Sequence, residues 1–319
     1  MSSRRTSELF RIVPSASVRA GTLPAMLEFQ LFLPQMRLSI PQLVERARAA
    51  EVAGFTGIAG MDHLAPPLAE SQPMYEAMLT NAWLAASTER LRVASLVLCD
   101  TFRHPAVLAR EAVTLDHASG GRFDLGIGWG SVAAEFETFG VGSTEAKARV
   151  GRLEETLEIV TALWRGETVD HDGEHFQLRG AFQAPGPLGH IPIVIGGTGR
   201  RTMELVATYA DWWNIHTGIL GRLDELDDLR ARAGDARASV QLYVAYLHPG
   251  DDRDEVTATA QKRFGPSPVV GTGPELVERL GELAARGFER IYTWFCDFAP
   301  PQTLVAFGEH VISELRSPA

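Results

Sequence analysis

The chain is poor in cysteine. Cys99 and Cys296 are the two in 319 residues, and neither sits in a C-x-x-C pair. Both close apolar strand-like segments, which points to a reduced protein of the cytoplasm rather than a disulfide scaffold. No apolar run reaches membrane-spanning length. The first 25 residues hold Arg4, Arg5, Arg11 and Arg19 but no continuous apolar stretch, so they make a poor signal peptide. They are expected to be a disordered extension, with the domain running from Met26 to Ala319. The net charge of −10 comes without a basic block, which argues against nucleic acid as a partner. Walker loops and G-x-S-x-G elbows are missing, and no G-x-G-x-x-G follows the first strand, which runs into Leu33-Pro34-Gln35.

What is there is alternation. Leu27, Phe29, Leu31 and Leu33 repeat every second residue, as a strand does. From Pro41 the period becomes helical, with Leu43, Ala47 and Ala50 on one face and Gly54 as the stop. The same exchange recurs. Strands are expected at 55–60, 91–98, 122–127, 193–195, 212–215, 239–247 and 290–295. Helices lie between them, among them the one carrying Met78, Leu79, Ala82, Trp83 and Ala86, and the one carrying Leu153, Leu157, Val160 and Trp164. Thr168 to Leu178 reads as a hairpin turning at Asp172-Gly173. Eight β–α units with 45% hydrophobic residues predict an α/β fold, a single (β/α)8 TIM barrel with a hairpin and loop insertion in its second half. An open doubly wound sheet is the rival, and it lacks its glycine fingerprint.

In such a barrel the chemistry sits just after the strands. Strand two ends in Asp62-His63, strand four in Gly128-Trp129-Gly130-Ser131 and strand five in Gly196-Gly197-Thr198-Gly199-Arg200-Arg201. Imidazole exchanges protons near neutral pH, so His63 is the candidate acid/base. The plainer reading, a histidine that caps the loop, loses only on position. His216 after strand six is a weaker candidate; His104 and His117 read as a loop cap and as packing. Gly128, Trp129 and Gly130 suit a flat ring lying against backbone, although a core tryptophan beside a turn would look the same. Gly196, Gly197 and Thr198, before a helix N-terminus, form either a phosphate cradle or a tight turn, and the residues alone leave both open. Arg200 or Arg201 would add charge to such a cradle. Asp170, His171 and His175 flank the hairpin tip, where a solvated turn is expected and not a metal site. No metal is predicted.

Taken in order, Gly57 to His63, Leu96 to Leu115, Ser119 to Gly130, Arg152 to Glu155, Ile193 to Gly197 and Ala210 to Asn214 resemble the luciferase-like monooxygenase superfamily, and within it the coenzyme F420-dependent oxidoreductases. The resemblance covers Met26 to about Leu315. It implies a deazaflavin lying near the ends of strands two to four, Asp62 at its headgroup and His63 as acid/base. It also implies Gly196-Gly197-Thr198 at the phosphate, and a non-prolyl cis peptide around Leu96-Val97 behind the ring. The hairpin corresponds to the family's insertion region. The implied activity is hydride transfer between F420 and a small organic substrate. The alternative is an FMN-dependent monooxygenase fed by a partner reductase, and a homodimer is expected by the same analogy. Two departures stand out. Ser131 occupies the place of the glutamate acid of the F420-dependent sugar-phosphate dehydrogenases, and Trp129 lies near that of luciferase's FMN-phosphate arginine.

Overall fold

A computed structural model describes residues 27–67, 72–216, 218 and 225–316. The expected extension, residues 1–25, lies outside them. Eight parallel strand positions close into a ring: β1 (Glu28–Phe32), β2 (Gly57–Gly60), β3 with β4 (Arg92–Ser95, Leu98–Cys99), β5 (Phe123–Gly128), β8 (Ile193–Gly196), β9 (Trp212–His216), β10 (Arg237–Tyr246) and β12 (Phe288–Phe295). Pairing of β12 with β1, and of β9 with β10, completes the circle. The fold is the α/β TIM barrel that the alternation predicts.

Helices α1 (Ile40–Val52), α2 (Ala77–Ser87), α3 (Pro105–Ser119), α5 (Ala146–Trp164), α6 (Arg200–Tyr209), α7 (Leu226–Arg232), α9 (Gly273–Ala285) and α10 (Pro301–Phe307) wrap the ring. Leu153, Leu157 and Val160 of α5 are completely buried, as their four-three spacing requires. Truncating any one of them to alanine would cost about 2–5 kcal/mol. The two-stranded hairpin appears as β6 (Val169–Asp172) and β7 (Gln177–Ala181), antiparallel, between α5 and β8. Its tip is pinned to α5, because Glu155 accepts from the amides of Glu174, His175 and Phe176 and from His171 Nε2 at 3.1 Å. His171 is therefore spent on a carboxylate of the scaffold.

The cis peptide that the resemblance implies is present at Leu96–Val97, where it breaks the third strand into β3 and β4. Three elements and one helix face depart from the sequence reading. Helix α4 (Ala133–Phe139), helix α8 (Arg253–Phe264) and the short strand β11 (Val269–Gly271), which pairs outside the ring with β10, are additional elements. On α2 the apolar residues split. Met78, Leu84 and Ala85 face the core, whereas Leu79 and Trp83 are exposed. This helix is apolar all round, so periodicity could not choose its face.

The N-terminal end of the barrel interior is charged. Arg290 donates to Glu28 at 2.8 Å and to Asp124 at 3.0 Å, Arg92 donates to Asp124 at 2.6 Å, and the Arg290 guanidinium stacks 3.8 Å from the Trp212 ring centroid. Asp124 and Arg290 are buried, and each keeps a second partner of opposite charge, Arg92 for Asp124 and Glu28 for Arg290, so the four groups form one compensated network. That plug closes one end. The site opens at the other.

Candidate active site

The C-terminal ends of the strands surround a cavity of about 480 Å3. His63, Asp62, Leu96, Val97, Gly128, Trp129, Gly130, Gly196, Gly197 and Thr198 all line it, from four different strand ends. Residues up to 136 positions apart in the chain, Asp62 and Thr198, cannot converge by local structure, so the barrel closure is what gathers them.

Strand β2 delivers Asp62 and His63. Asp62 is buried, with Oδ2 accepting from the Cys99 amide at 2.9 Å and from Arg103 Nη1 at 2.5 Å, and Oδ1 accepting from Arg103 Nη2 at 3.3 Å. Its carboxylate thus ties β2 to β4 and to the turn before α3. Arg103 also contacts Glu76 and lies 3.6 Å from Glu111; burial works against its charge, but Asp62 and then Glu76 hold the guanidinium protonated, above its ordinary range. Burial raises the Glu111 carboxyl above its ordinary range, only partly opposed by Arg103. Burial likewise pushes the Cys99 thiol up to about 12.

His63 Nδ1 stands 3.0 Å from Glu135 Oε2. The other oxygen of Glu135 accepts the Leu64 amide and, at 3.1 Å, the Ala65 amide. With Nδ1–H donated to a buried carboxylate, Nε2 is the ring nitrogen left to exchange a proton with a ligand. Sequence reasoning missed Glu135. It lies in the first turn of α4, an element the periodicity did not reveal, four residues beyond Ser131. The signal available was an acidic residue one helical turn past a strand-end glycine loop. Ser131 itself is exposed on the cavity wall, where it offers a hydroxyl and no carboxylate.

The floor is glycine-lined for a reason. A Cβ on Gly128 would lie 2.8 Å from Val97 Cγ2, so any larger residue there would force the Val97 side chain to shift. Trp129 lines the cavity and has the buried Arg149 guanidinium 5.1 Å from its ring centroid. Gly197, at φ +130°, turns the backbone out of β8 into a conformation that side chains resist, and its carbonyl accepts from Trp213 Nε1 at 2.8 Å. Gly199 caps α6 without a side-chain hydrogen bond, leaving the first-turn amides of that helix open. Arg200 and Arg201 do not complete a cradle. Arg200 is exposed and pairs with Glu204 at 3.3 Å, and Arg201 pairs with Glu154 at 2.8 Å; neither lines the cavity. His216 and Gln241 close the far wall. His104 caps α3 through the Ala106 amide, as expected.

A second, larger cavity of about 1060 Å3 lies between α2 and α3 and shares Asp62 and His63 with the first. Arg103 and Glu111 form part of its wall, together with apolar side chains such as Leu79 and Val107. Among the described residues no group of three or more histidine, cysteine, aspartate or glutamate side chains is arranged to hold a metal ion.

A closed parallel barrel whose strand ends converge on one deep, glycine-floored cavity defines the (β/α)8 class of site. Residues 24–305 match the luciferase-like monooxygenase family, and the chain belongs to it. An F420-dependent glucose-6-phosphate dehydrogenase of Microbacterium testaceum is 32% identical over 317 residues, which cover 86% of this chain and 93% of the relative. A second of that description, from Mycolicibacterium fortuitum, is 38% identical over 174 residues, 53% of this chain and 50% of the relative. The chain thus spans about half of that second protein. Among solved structures, an F420-dependent secondary alcohol dehydrogenase in complex with an F420-acetone adduct superposes with a TM-score of 0.75 at 16% identity, covering 91% of this chain and 99% of that one. A riboflavin lyase with modified FMN superposes at 0.78 and 17% identity, covering 91% of both. These two likenesses are likenesses of fold.

Proposed function

We propose that the chain is an oxidoreductase that transfers a hydride between coenzyme F420 and a small organic substrate. The observation that carries this reading is the convergence of His63, held by Glu135, with the Leu96–Val97 segment and the Gly196–Thr198 turn on one cavity. The relatives described as F420-dependent support it.

The residues fit that group. Leu96, Val97, Gly128, Trp129 and Gly130 would hold a flat ring, and Gly196, Gly197 and Thr198 with the open amides of α6 would take its phosphate. When bound, the deazaflavin supplies a two-electron hydride donor or acceptor. The protein's own part is positional and acid–base. His63 Nε2 gives or takes the proton at the substrate oxygen, while Glu135 fixes the tautomer and balances the imidazolium charge. Asp62 sets the loop that carries His63 through its bonds to Cys99 and Arg103. Met61 and Trp129 line the cavity and would shield a bound ring from water.

The test is a fluorescence titration of the purified chain with F420 and with FMN. Saturable F420 binding that FMN does not compete is expected. FMN binding without F420 binding would replace the reading with that of a reduced-flavin monooxygenase supplied by a reductase.

Two finer points belong to the same proposal. The chain works as a homodimer, since Leu79, Trp83 and Val107 leave an apolar face on α2 and α3 uncovered. It works in the cytoplasm: both cysteines are free and buried, and no described helix is long and apolar enough to cross a membrane.

A further inference from the structure

Among the described residues, three without glycine's freedom have a left-handed backbone: Arg37 at φ +61°, Phe298 at +64° and Ala299 at +53°. They meet at one place. Side chains crowd the backbone at such angles, and these conformations gather where a loop is fixed for a ligand. Arg37 belongs to the loop after β1, and Phe298 and Ala299 to the loop after β12, both on the face of the barrel that holds the cavity. The Arg37 guanidinium lies 5.8 Å from the Phe298 ring centroid. That of Arg263, at the end of α8, lies 5.9 Å from the same centroid.

Neither guanidinium reaches a carboxylate of the described residues. Arg263 donates Nη1 to the Cys296 carbonyl at 2.6 Å and keeps its remaining N–H groups free of carboxylates. The loop's own acid, Asp297, is turned inward, with Oδ1 accepting the Ala299 amide at 3.0 Å and Oδ2 the Thr303 hydroxyl at 2.7 Å. Arg46 Nε, whose partner acid is Glu45, holds the Phe298 carbonyl at 2.9 Å. Two exposed cations are therefore gathered on one ring, in a strained loop braced from both sides, with no carboxylate among the described residues paired to them.

An aromatic wall joins this pair to the cavity. Phe264, next to Arg263, stacks on Tyr243 at 4.6 Å and meets Trp294 at 5.3 Å, and Trp294 meets Phe32 at 4.7 Å. Tyr243 pairs in register with Trp294 and shares a strand face with Gln241, which lines the cavity.

We propose that Arg37 and Arg263 form an oxyanion subsite at the mouth of the barrel. It would take the phosphate monoester or carboxylate of an organic substrate whose carbon skeleton lies along the Tyr243–Trp294 wall. Paired guanidinium groups suit both anions by charge-assisted, fork-shaped hydrogen bonding. The role toward substrate rests on the oxidoreductase reading; the anion binding itself does not.

The experiment is calorimetric titration of the full chain, saturated with F420 so that the glycine turn is filled, with inorganic phosphate and separately with acetate at constant ionic strength. Wild type is compared with R37A, R263A, the double variant, and R165A as an exposed-arginine control. Each arginine is exposed, and unchanged melting curves establish that the variants fold. Phosphate affinity is expected to fall at least tenfold in the double variant and not in R165A, with F420 affinity the same throughout. An arginine-dependent response to acetate but not phosphate assigns the subsite to carboxylates. Equal binding by wild type and double variant, or no binding of either anion, overturns the subsite. Should F420 fail to bind while arginine-dependent anion binding persists, the oxidoreductase reading falls and the subsite stands.

Discussion

His63 carries the proton chemistry, but a free imidazole would rotate and exchange tautomers. Glu135 removes that freedom: one oxygen takes Nδ1–H, and the other is anchored by the Leu64 and Ala65 amides, so the acid and the loop it serves are one unit. Replacing the carboxylate by an amide turns an acceptor into a donor at Nδ1 and moves the imidazole proton to Nε2. E135Q should therefore lower kcat about 100-fold, the range of a misplaced general acid or base, while F420 affinity from the fluorescence titration stays within twofold. A kcat equal to wild type would make Glu135 a loop brace only. His63 was legible in the sequence because it ends a strand, whereas Glu135 was not, because its relation to His63 exists only after two β–α units pack together. The arginines were misread for the converse reason. Arg200 and Arg201 stand beside the glycine turn in sequence, yet surface carboxylates on α5 and α6 hold them away from it.

Elements announced themselves in proportion to how one-sided they are. Helix α5 buries a regular stripe and was readable. Helix α8 buries only Ala260, so it has no apolar face to find, and β11 spans three residues. Helix α9 starts at a capping box. Thr272 and Glu275 cap each other reciprocally, with the Glu275 carboxylate accepting the Thr272 amide at 2.8 Å and Arg253 at 2.7 Å. The Thr272 amide first, and Arg253 after it, depress the Glu275 carboxyl from 4.5 to about 2. A folded-state pKa below the unfolded one contributes stability above pH 4.5 that is lost as pH falls toward 2. E275A should cost about 1 kcal/mol at pH 7, small because the group is exposed. In chemical denaturation across a pH series, its gap to wild type should close between pH 4.5 and pH 2. A gap constant with pH would mean the loss is one of packing. Helix α2 is the case in which pattern was present and direction was not. Its exposed Leu79 and Trp83 are the reason a second copy is proposed there. L79D/W83D should convert a dimer to a monomer in sedimentation velocity while leaving the circular dichroism spectrum unchanged. A wild-type chain that sediments as a monomer would remove that part of the account.

For the whole molecule, the ring of eight strands was legible because each parallel strand is a short apolar run between helices, buried on both faces. Convergence of the site followed from topology alone: every candidate sits after a strand, and a closed barrel brings strand ends together at one mouth. What the sequence could not supply was the interior. It did not reveal which arginines would plug the barrel at Asp124, which loop would take a left-handed backbone at Phe298, or that two cavities would share His63. Those depend on side chains from opposite sides of the ring meeting across it. The central claim is that the smaller cavity, and not the groove between α2 and α3, receives the deazaflavin. A crystal structure of the chain soaked with F420 measures this directly. The account predicts the ring against Leu96–Val97 and Gly128, within reach of His63 Nε2, with the phosphate on Gly196–Thr198. A ring lodged between Leu79 and Val107, with the glycine turn untouched, would contradict it.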